Sequence, residues 1–550
     1  MQTEKKGKTS FLMQGTILAM AGILVRIIGL IYRIPMTNIL GEEGIGVYSA
    51  AYQIYNIILL LSSYSLPLAV SKLVSAKMAV KEYRNAYRIF CSALVFALIV
   101  GTLACAICWF GAEFFARVVL NMPEASSAIK VLAPAIFVMA LLGVLRGLFQ
   151  GQGTMIPTAL SQIFEQIVNA IVSVAAAYYL FQYGLNADKI HSTDIYANAY
   201  GAAGGTLGTL MGAVTALIFC GFVYLMYDRV IKRQLRRDQS TEWDSYADIS
   251  KVLMMTIFPV ILSSVIYNIS SLLDNSLFGH YVETAGEMDT YKSIWGAFSG
   301  KYLVMVHVPV AIATSLASSV IPTLSKAMAR RDRGGAIDSI DQIIRFTMLI
   351  AIPSAVGLAV LAEPIMMVLF RGKNIEAIQM MTWGSSAVVF FSLSTVTNGV
   401  LQGIGHMKQP IINAAMSLVL HLVLLAAMLW GFDMGIYGVV AANIIFGASM
   451  CVLNALSIRK IMNFHQEIKK TFLMPLACSA VMGAAVWGLY QLIYIGSDNH
   501  LISMAFSIVV GIFLYFVLLL LLKVVDEIEL SRMPFGRTLT SFGKKLHLLQ

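Results

Sequence analysis

The sequence predicts an all-α integral membrane protein: about fourteen transmembrane helices forming two parallel, pseudo-symmetric six-helix lobes plus two C-terminal helices. Three observations point there. The 550-residue chain is 58% apolar and 12% charged, with mean hydropathy +0.77, whereas a soluble domain carries about 25% charged residues. Apolar runs of the ~20 residues needed to cross a bilayer recur along its length. Two short phrases also recur at a nearly constant distance.

In chain order, spans are expected at roughly 15–39, 46–70, 89–110, 131–150, 158–181, 201–226, 252–278, 293–320, 343–362, 379–402, 411–431, 436–458, 472–494 and 501–523. Lys5, Lys6 and Lys8 precede the first, which is too long and unbroken for a cleaved signal peptide and reads as a retained helix. With the N-terminus in the cytoplasm and the spans alternating, 29 of the 39 Lys and Arg fall in inward segments and five in outward ones. That bias places both ends in the cytoplasm of a multi-pass plasma-membrane protein. It also accounts for the net charge of +10 without nucleic acid as a partner. All six cysteines lie in apolar runs. Cys105 and Cys108 form a Cys-x-x-Cys, but no second Cys or His pair accompanies them, so packing is the expected role.

The phrase "RGLFQGQGTMIP" from Arg146 returns 252 residues later as "NGVLQGIGHMKQP" from Asn398, and "LPLAVSK" at Leu66 is echoed by "IPTLSK" at Ile321. Six spans separate the first pair. An even number leaves both copies facing the same side, so the repeat is parallel. The expected division is a first six-helix lobe over 1–226, a basic cytoplasmic linker over 227–251, a second lobe over 252–460, and two further helices with a tail over 461–550. Parallel repeats are one architecture of secondary transporters, with substrate held between the halves. The Gly-Gln phrases themselves read as turns rather than substrate contacts.

Ionisable side chains within spans mark candidate sites, because each costs at least ~2.5–3.5 kcal/mol to insert. Arg26 and Arg33 lie seven residues apart in span 1, on one helical face with Gly22 and Gly29. Snorkelling to the headgroups is open to Arg33 but difficult for Arg26. Span 5 bears a polar stripe of Ser161, Gln162, Glu165, Gln166, Asn169 and Ser173. Span 7 bears Ser264, Asn268, Ser271 and Asn275 with Asp274 beside them, and span 8 adds Lys301 and His307. His421 falls one repeat after Asn169. Interhelical hydrogen bonds are the plain alternative for this set. Glu165 and Asp274 suit either pairing with a cation or ion coupling, and His421 suits packing. A cavity carrying Arg26, Arg33 and Lys301 favours an anion, and guanidinium groups grip phosphate bidentately. No phosphate-binding loop for ATP, metal-ligand cluster or nucleophile–base pair occurs, so no enzyme and no cofactor is expected. Transport would then draw on an unidentified coupling ion, the membrane potential or substrate supply.

The stretches "VRIIGLIYRIPMTNILGEEGIGVYSAAYQIYN" and "GKYLVMVHVPVAIATSLASSVIPTLSKA" resemble helices 1–2 and 8 of the multidrug/oligosaccharidyl-lipid/polysaccharide exporter superfamily. Within it, the stage V sporulation protein B-like branch, kin to the lipid II flippases, is the nearest in pattern. The resemblance implies a two-lobed flippase that moves a polyprenyl-diphosphate-linked saccharide or peptidoglycan precursor outward through the bilayer by alternating access. Arg26 with Gly29 matches the Arg-x-x-Gly at which lipid II flippases place a cavity arginine. Arg33 is one residue out of register with the family's next arginine. Gln53 stands where the flippases have a second-helix arginine, and Lys301 is a displaced counterpart of their eighth-helix arginine. The substrate-binding set is therefore expected to be Arg26, Arg33, Gln53, Gln162, Glu165, Asn169, Asn268, Asp274, Lys301 and His421. The rivals are a multidrug cation antiporter of the same superfamily and a non-transporting scaffold for wall or spore-coat synthesis.

Overall fold

The computed structural model describes residues 2–525 except 64 and 241. Side chains at 2–19, 23, 259, 260, 262–264, 267, 318, 319, 322, 323 and 329 lie outside the described set, and with them Ser264. Among the described residues every regular element is a helix. Eleven are long and apolar enough to cross a membrane, or twelve if one pair bent by 49° counts as a single span. The chain divides into two compact units, Met1–Gly300 and Lys301–Gln550.

In the first unit, α1 (Gln2–Ser62) holds the first expected span and most of the second. It folds at Gly41, where φ 68° and ψ −173° describe a conformation open only to glycine. After it come α2 (Leu66–Ala79), α3 (Tyr83–Phe110), the single turn α4 (Ala112–Phe114), α5 (Ala125–Gly151), α6 (Ile156–His191), α7 (Tyr196–Arg236), α8 (Tyr246–Ala285) and α9 (Met288–Gly296). Proline in the first turn of α2 and of α6 occupies a position where the missing N–H costs nothing. Ser245 caps α8 by accepting from the Ala247 amide. The second unit contains α10 (Leu303–Ala329), α11 (Arg333–Val360), α12 (Ala362–Leu369), α13 (Ile375–Gly384), α14 (Ala387–Gly403), α15 (Lys408–Ala426), α16 (Gly435–Met462), α17 (Met474–Ser497) and α18 (His500–Leu521). The bent pair is α13 with α14.

The repeated phrase has the same local structure in both units. A Cβ placed on Gly147 or Gly151 would lie 2.7 Å from the Cβ of Val70 or Val74, so α5 packs on α2 through bare backbone. In the second copy, Gly399 and Gly403 bring α14 nearly as close to Ala317 and Leu324 of α10, at 3.0 and 2.9 Å. Only the third glycine of each phrase is a turn residue, with φ +82° at Gly153 and +90° at Gly405. The turn reading thus holds for one glycine in three, and the other two are helix-packing positions. The second echo belongs to the same joint: Ser325 donates to the Gly403 carbonyl at 3.0 Å.

Between α6 and α7 the approach is closer still. Gly204, Gly208 and Gly212 recur every fourth residue on one face of α7 and rest against the backbone of Ala176, Asn169 and Glu165. Small residues at this spacing are how membrane helices gain contact without a hydrophobic driving force.

The linker after α7 is folded back onto the α2–α3 turn. Arg84 donates its amide to Asp238 Oδ1 at 2.9 Å, Asn85 donates to the Glu242 carbonyl at 3.0 Å, and Lys77 bridges Glu82 and Asp244 at 2.8 and 2.6 Å. Arg88 stacks on Tyr246, 4.2 Å from the ring centroid. Hydrogen bonding from Lys77 and Asn85 holds Glu82 below the usual carboxylate range. At Asp238 burial acts upward, but the Arg84 amide and Ser240 outweigh it and the carboxyl is also held low. Depressed carboxylates stabilise the clasp above their unfolded pKa, and that stability is lost as pH falls through the lower folded values. Asp238→Asn should therefore loosen the linker at neutral pH, and trypsin should cut after Arg236 and Arg237 several-fold faster. An unchanged cleavage rate would show that Asp238 does not hold it.

Candidate functional site

The arginine face of α1 is set by helical geometry. At about 100° per residue, Gly22, Arg26, Gly29 and Arg33 fall within roughly 60° of one another. Met20, Leu24, Ile27 and Ile31 form the exposed apolar stripe of the same helix, centred about 160° away. An exposed apolar stripe on a membrane helix is its lipid face, so the arginines project from the opposite side. Arg26 is exposed and Arg33 is half-buried. A Cβ on Gly22 would meet nothing within 4 Å, so there is open space beside Arg26. Gly29, in contrast, lets α1 close on α6, where Gln166 Nε2 would lie 3.2 Å from an added Cβ. Arg33 has Tyr32, Tyr48 and Tyr52 as its electrostatic neighbours.

The polar stripe of α6 is largely spoken for. Glu165 accepts from Arg146 at 2.7 Å, and Arg146 also donates to Ser161 at 2.9 Å. The pair is a partly buried ion bridge between α5 and α6, the cation-pairing alternative raised for Glu165. Asn169 is buried and accepts from Ser173 at 2.9 Å, while Thr209 links it toward Tyr52. Gln162 is half-buried on the same helix.

Gln53 sits at a junction of α1 and α8. It donates to Ser271 at 2.9 Å and accepts from Asn275 at 2.7 Å. Asn275 in turn accepts from the Tyr291 hydroxyl at 2.7 Å, which also reaches the Leu120 carbonyl at 2.8 Å. Asp274 is buried beside this chain of bonds, and Asn268, lower on α8, is exposed. Sequence reasoning missed how this junction is completed. Lys292 pairs with Glu124 at 2.8 Å, Ser293 donates to Glu42 at 2.9 Å, and α9 meets α1 glycine on glycine at Gly296 and Gly46. The "GEEGIG" run after Leu40 was the available signal, since two glycines flanking acids suggest close backbone approach.

In the second unit, Lys301 lies on a π-helical turn, Ala297–Tyr302, a deformation often found at functional positions. It is only 5% exposed, with its ammonium 6.0 Å from the Phe370 ring centroid. His421 is fully buried; its Nδ1 lies 2.9 Å from the Ala442 carbonyl and its ring meets Phe446 edge-on. The neighbouring polar residues Asn413, Asn454, Asn398 and Ser457 bond one another. Of the expected set, Arg26, Arg33, Gln53, Gln162, Glu165, Asn169, Asn268 and Asp274 belong to the first unit, while Lys301 and His421 belong to the second. Among the described residues no group of three or more His, Cys, Asp or Glu could hold a metal ion.

The comparisons with known proteins agree with this architecture. Residues 11–328 match the polysaccharide biosynthesis protein family, and residues 259–427 match the MatE family. Stage V sporulation protein B of Bacillus subtilis is 24% identical over 96% of this chain and 98% of its own. The lipid II flippase MurJ of the same organism is 24% identical over 87% and 88%. Among solved structures, an inward-facing multidrug resistance MATE transporter superposes with a TM-score of 0.63 at 15% identity, covering 80% of this chain and 94% of that one. Lipid II flippase MurJ in an inward closed conformation gives 0.61 at 17%, covering 90% and 98%. The chain is a multi-pass membrane protein and belongs to the polysaccharide biosynthesis protein family, in the stage V sporulation protein B-like branch of the multidrug/oligosaccharidyl-lipid/polysaccharide exporter superfamily.

Proposed function

We propose that the protein is a flippase that carries a polyprenyl-diphosphate-linked oligosaccharide or peptidoglycan precursor across the bacterial cytoplasmic membrane by alternating access, with both termini in the cytoplasm. The observation that carries the reading is the α1 face on which Arg26 and Arg33 stand opposite the lipid stripe, with open space at Gly22. Two guanidinium groups there match a diphosphate in charge and in donor geometry. Gln53 and the exposed polar atoms of α6 and α8 are the candidate contacts for the rest of the head group. The names of full-length relatives, a sporulation protein and a lipid II flippase, support a lipid-linked precursor as the class of substrate.

The test is translocation in proteoliposomes with a panel of labelled lipid-diphosphate saccharides. Inward-to-outward transfer of at least one of them is the expected result. Ethidium efflux without lipid transfer would instead establish the cation antiporter, and neither activity in a folded preparation would leave the scaffold role.

A further inference from the structure

The cytoplasm-directed end of α7 carries a pattern that translocation does not use. Met211, Ile218, Phe222 and Leu225 are exposed along α7 and lie within about 60° of one another. Arg229, Arg233 and Arg236 continue the same stripe, the whole set spanning about 80°. All three are exposed, and among the described residues none forms an ion pair or a side-chain hydrogen bond. Their neighbours are engaged: Lys232 pairs with Asp228 at 2.7 Å, and Arg84 with Asp238 at 3.8 Å. The general excess of cations on one side of a membrane explains why basic residues are here. It does not explain why three of them align with the lipid-facing stripe.

The position of Arg229 fits a headgroup layer. With a rise of about 1.5 Å per residue, Arg229 lies about 6 Å beyond Leu225, within a headgroup region roughly 5–7 Å deep on each side. Helical side chains lean toward the N-terminus of their helix, so Arg233 and Arg236 reach back toward the bilayer. We propose that this stripe docks the headgroups of anionic phospholipids, its guanidinium groups sharing the phosphates of lipids packed against Ile218–Leu225. The proposal is independent of what the protein transports.

The test is native mass spectrometry of the full chain with added phosphatidylglycerol or phosphatidylcholine. The wild type should bind the first phosphatidylglycerol at least about threefold more tightly than phosphatidylcholine. The triple variant Arg229→Gln, Arg233→Gln, Arg236→Gln should lose most of that preference, and the corresponding triple lysine variant should keep it. Should the triple glutamine variant insert poorly, the single Arg233→Gln variant should still show a partial loss. A pair of control changes in the second unit, Arg330→Gln with Arg331→Gln, should leave the preference unchanged. Equal binding of both lipids by the wild type, an undiminished preference in the folded glutamine variants, or an equal loss in the control would each overturn the proposal.

Discussion

Arg26→Ala is expected to lower translocation of a lipid-diphosphate saccharide about 100-fold or more, while the protein remains inserted and abundant. Removing a bidentate, charge-assisted pair of hydrogen bonds costs about 3 kcal/mol or more, and each 1.36 kcal/mol is a factor of ten. The fold should tolerate the change, because Arg26 is exposed and lies on the open side of α1. Arg26→Lys should recover part of the rate, since an ammonium keeps the charge but loses the planar fork. Initial rates in proteoliposomes, normalised to inserted protein, read the effect. A rate for Arg26→Ala within twofold of wild type would remove Arg26 from the site.

Gly208→Leu is expected to act on the fold rather than on the chemistry. Position 208 has the Asn169 carbonyl only 2.5 Å from where a Cβ would stand, with the Ser173 side chain closer still. A leucine there must push α7 off α6, at a cost of about 3 kcal/mol or more. The displaced face includes Thr209, which links Tyr52 to Asn169. The variant should show a lower thermal midpoint in detergent and poor recovery as a monodisperse species. Gly221→Leu, on the same helix but with nothing within 4 Å of its Cβ position, should behave as wild type. Equal stability of the two variants would show that the glycine face is not a tight joint.

Much of this was legible in the sequence because a bilayer imposes a narrow grammar. Apolar length gives spans, and the phrases at Arg146 and Asn398 give the repeat and its period. What period and composition do not encode is partnership. Glu165 reads equally as a free acid or an ion-pair member until α5 places Arg146 beside it. His421 reads as a packing residue in spite of its register with Asn169, and its ring is packed against Phe446 and bonded to a backbone carbonyl. The fold in α1, by contrast, was legible, since the expected spans 15–39 and 46–70 leave a gap over 40–45 and the backbone turns at Gly41 within it. The lipid face of α1 was likewise implicit in the spacing of Met20, Leu24, Ile27 and Ile31 and needed only their exposure to be recognised.

The twin glycine joints, α5 on α2 and α14 on α10, have an implication for how the sequence can drift. Each joint is backbone pressed on side chain with no slack for a methyl group. A phrase written twice gives no cover for a fault in either copy: Gly151 and Gly403 must each survive on their own account, however far the residues around them diverge.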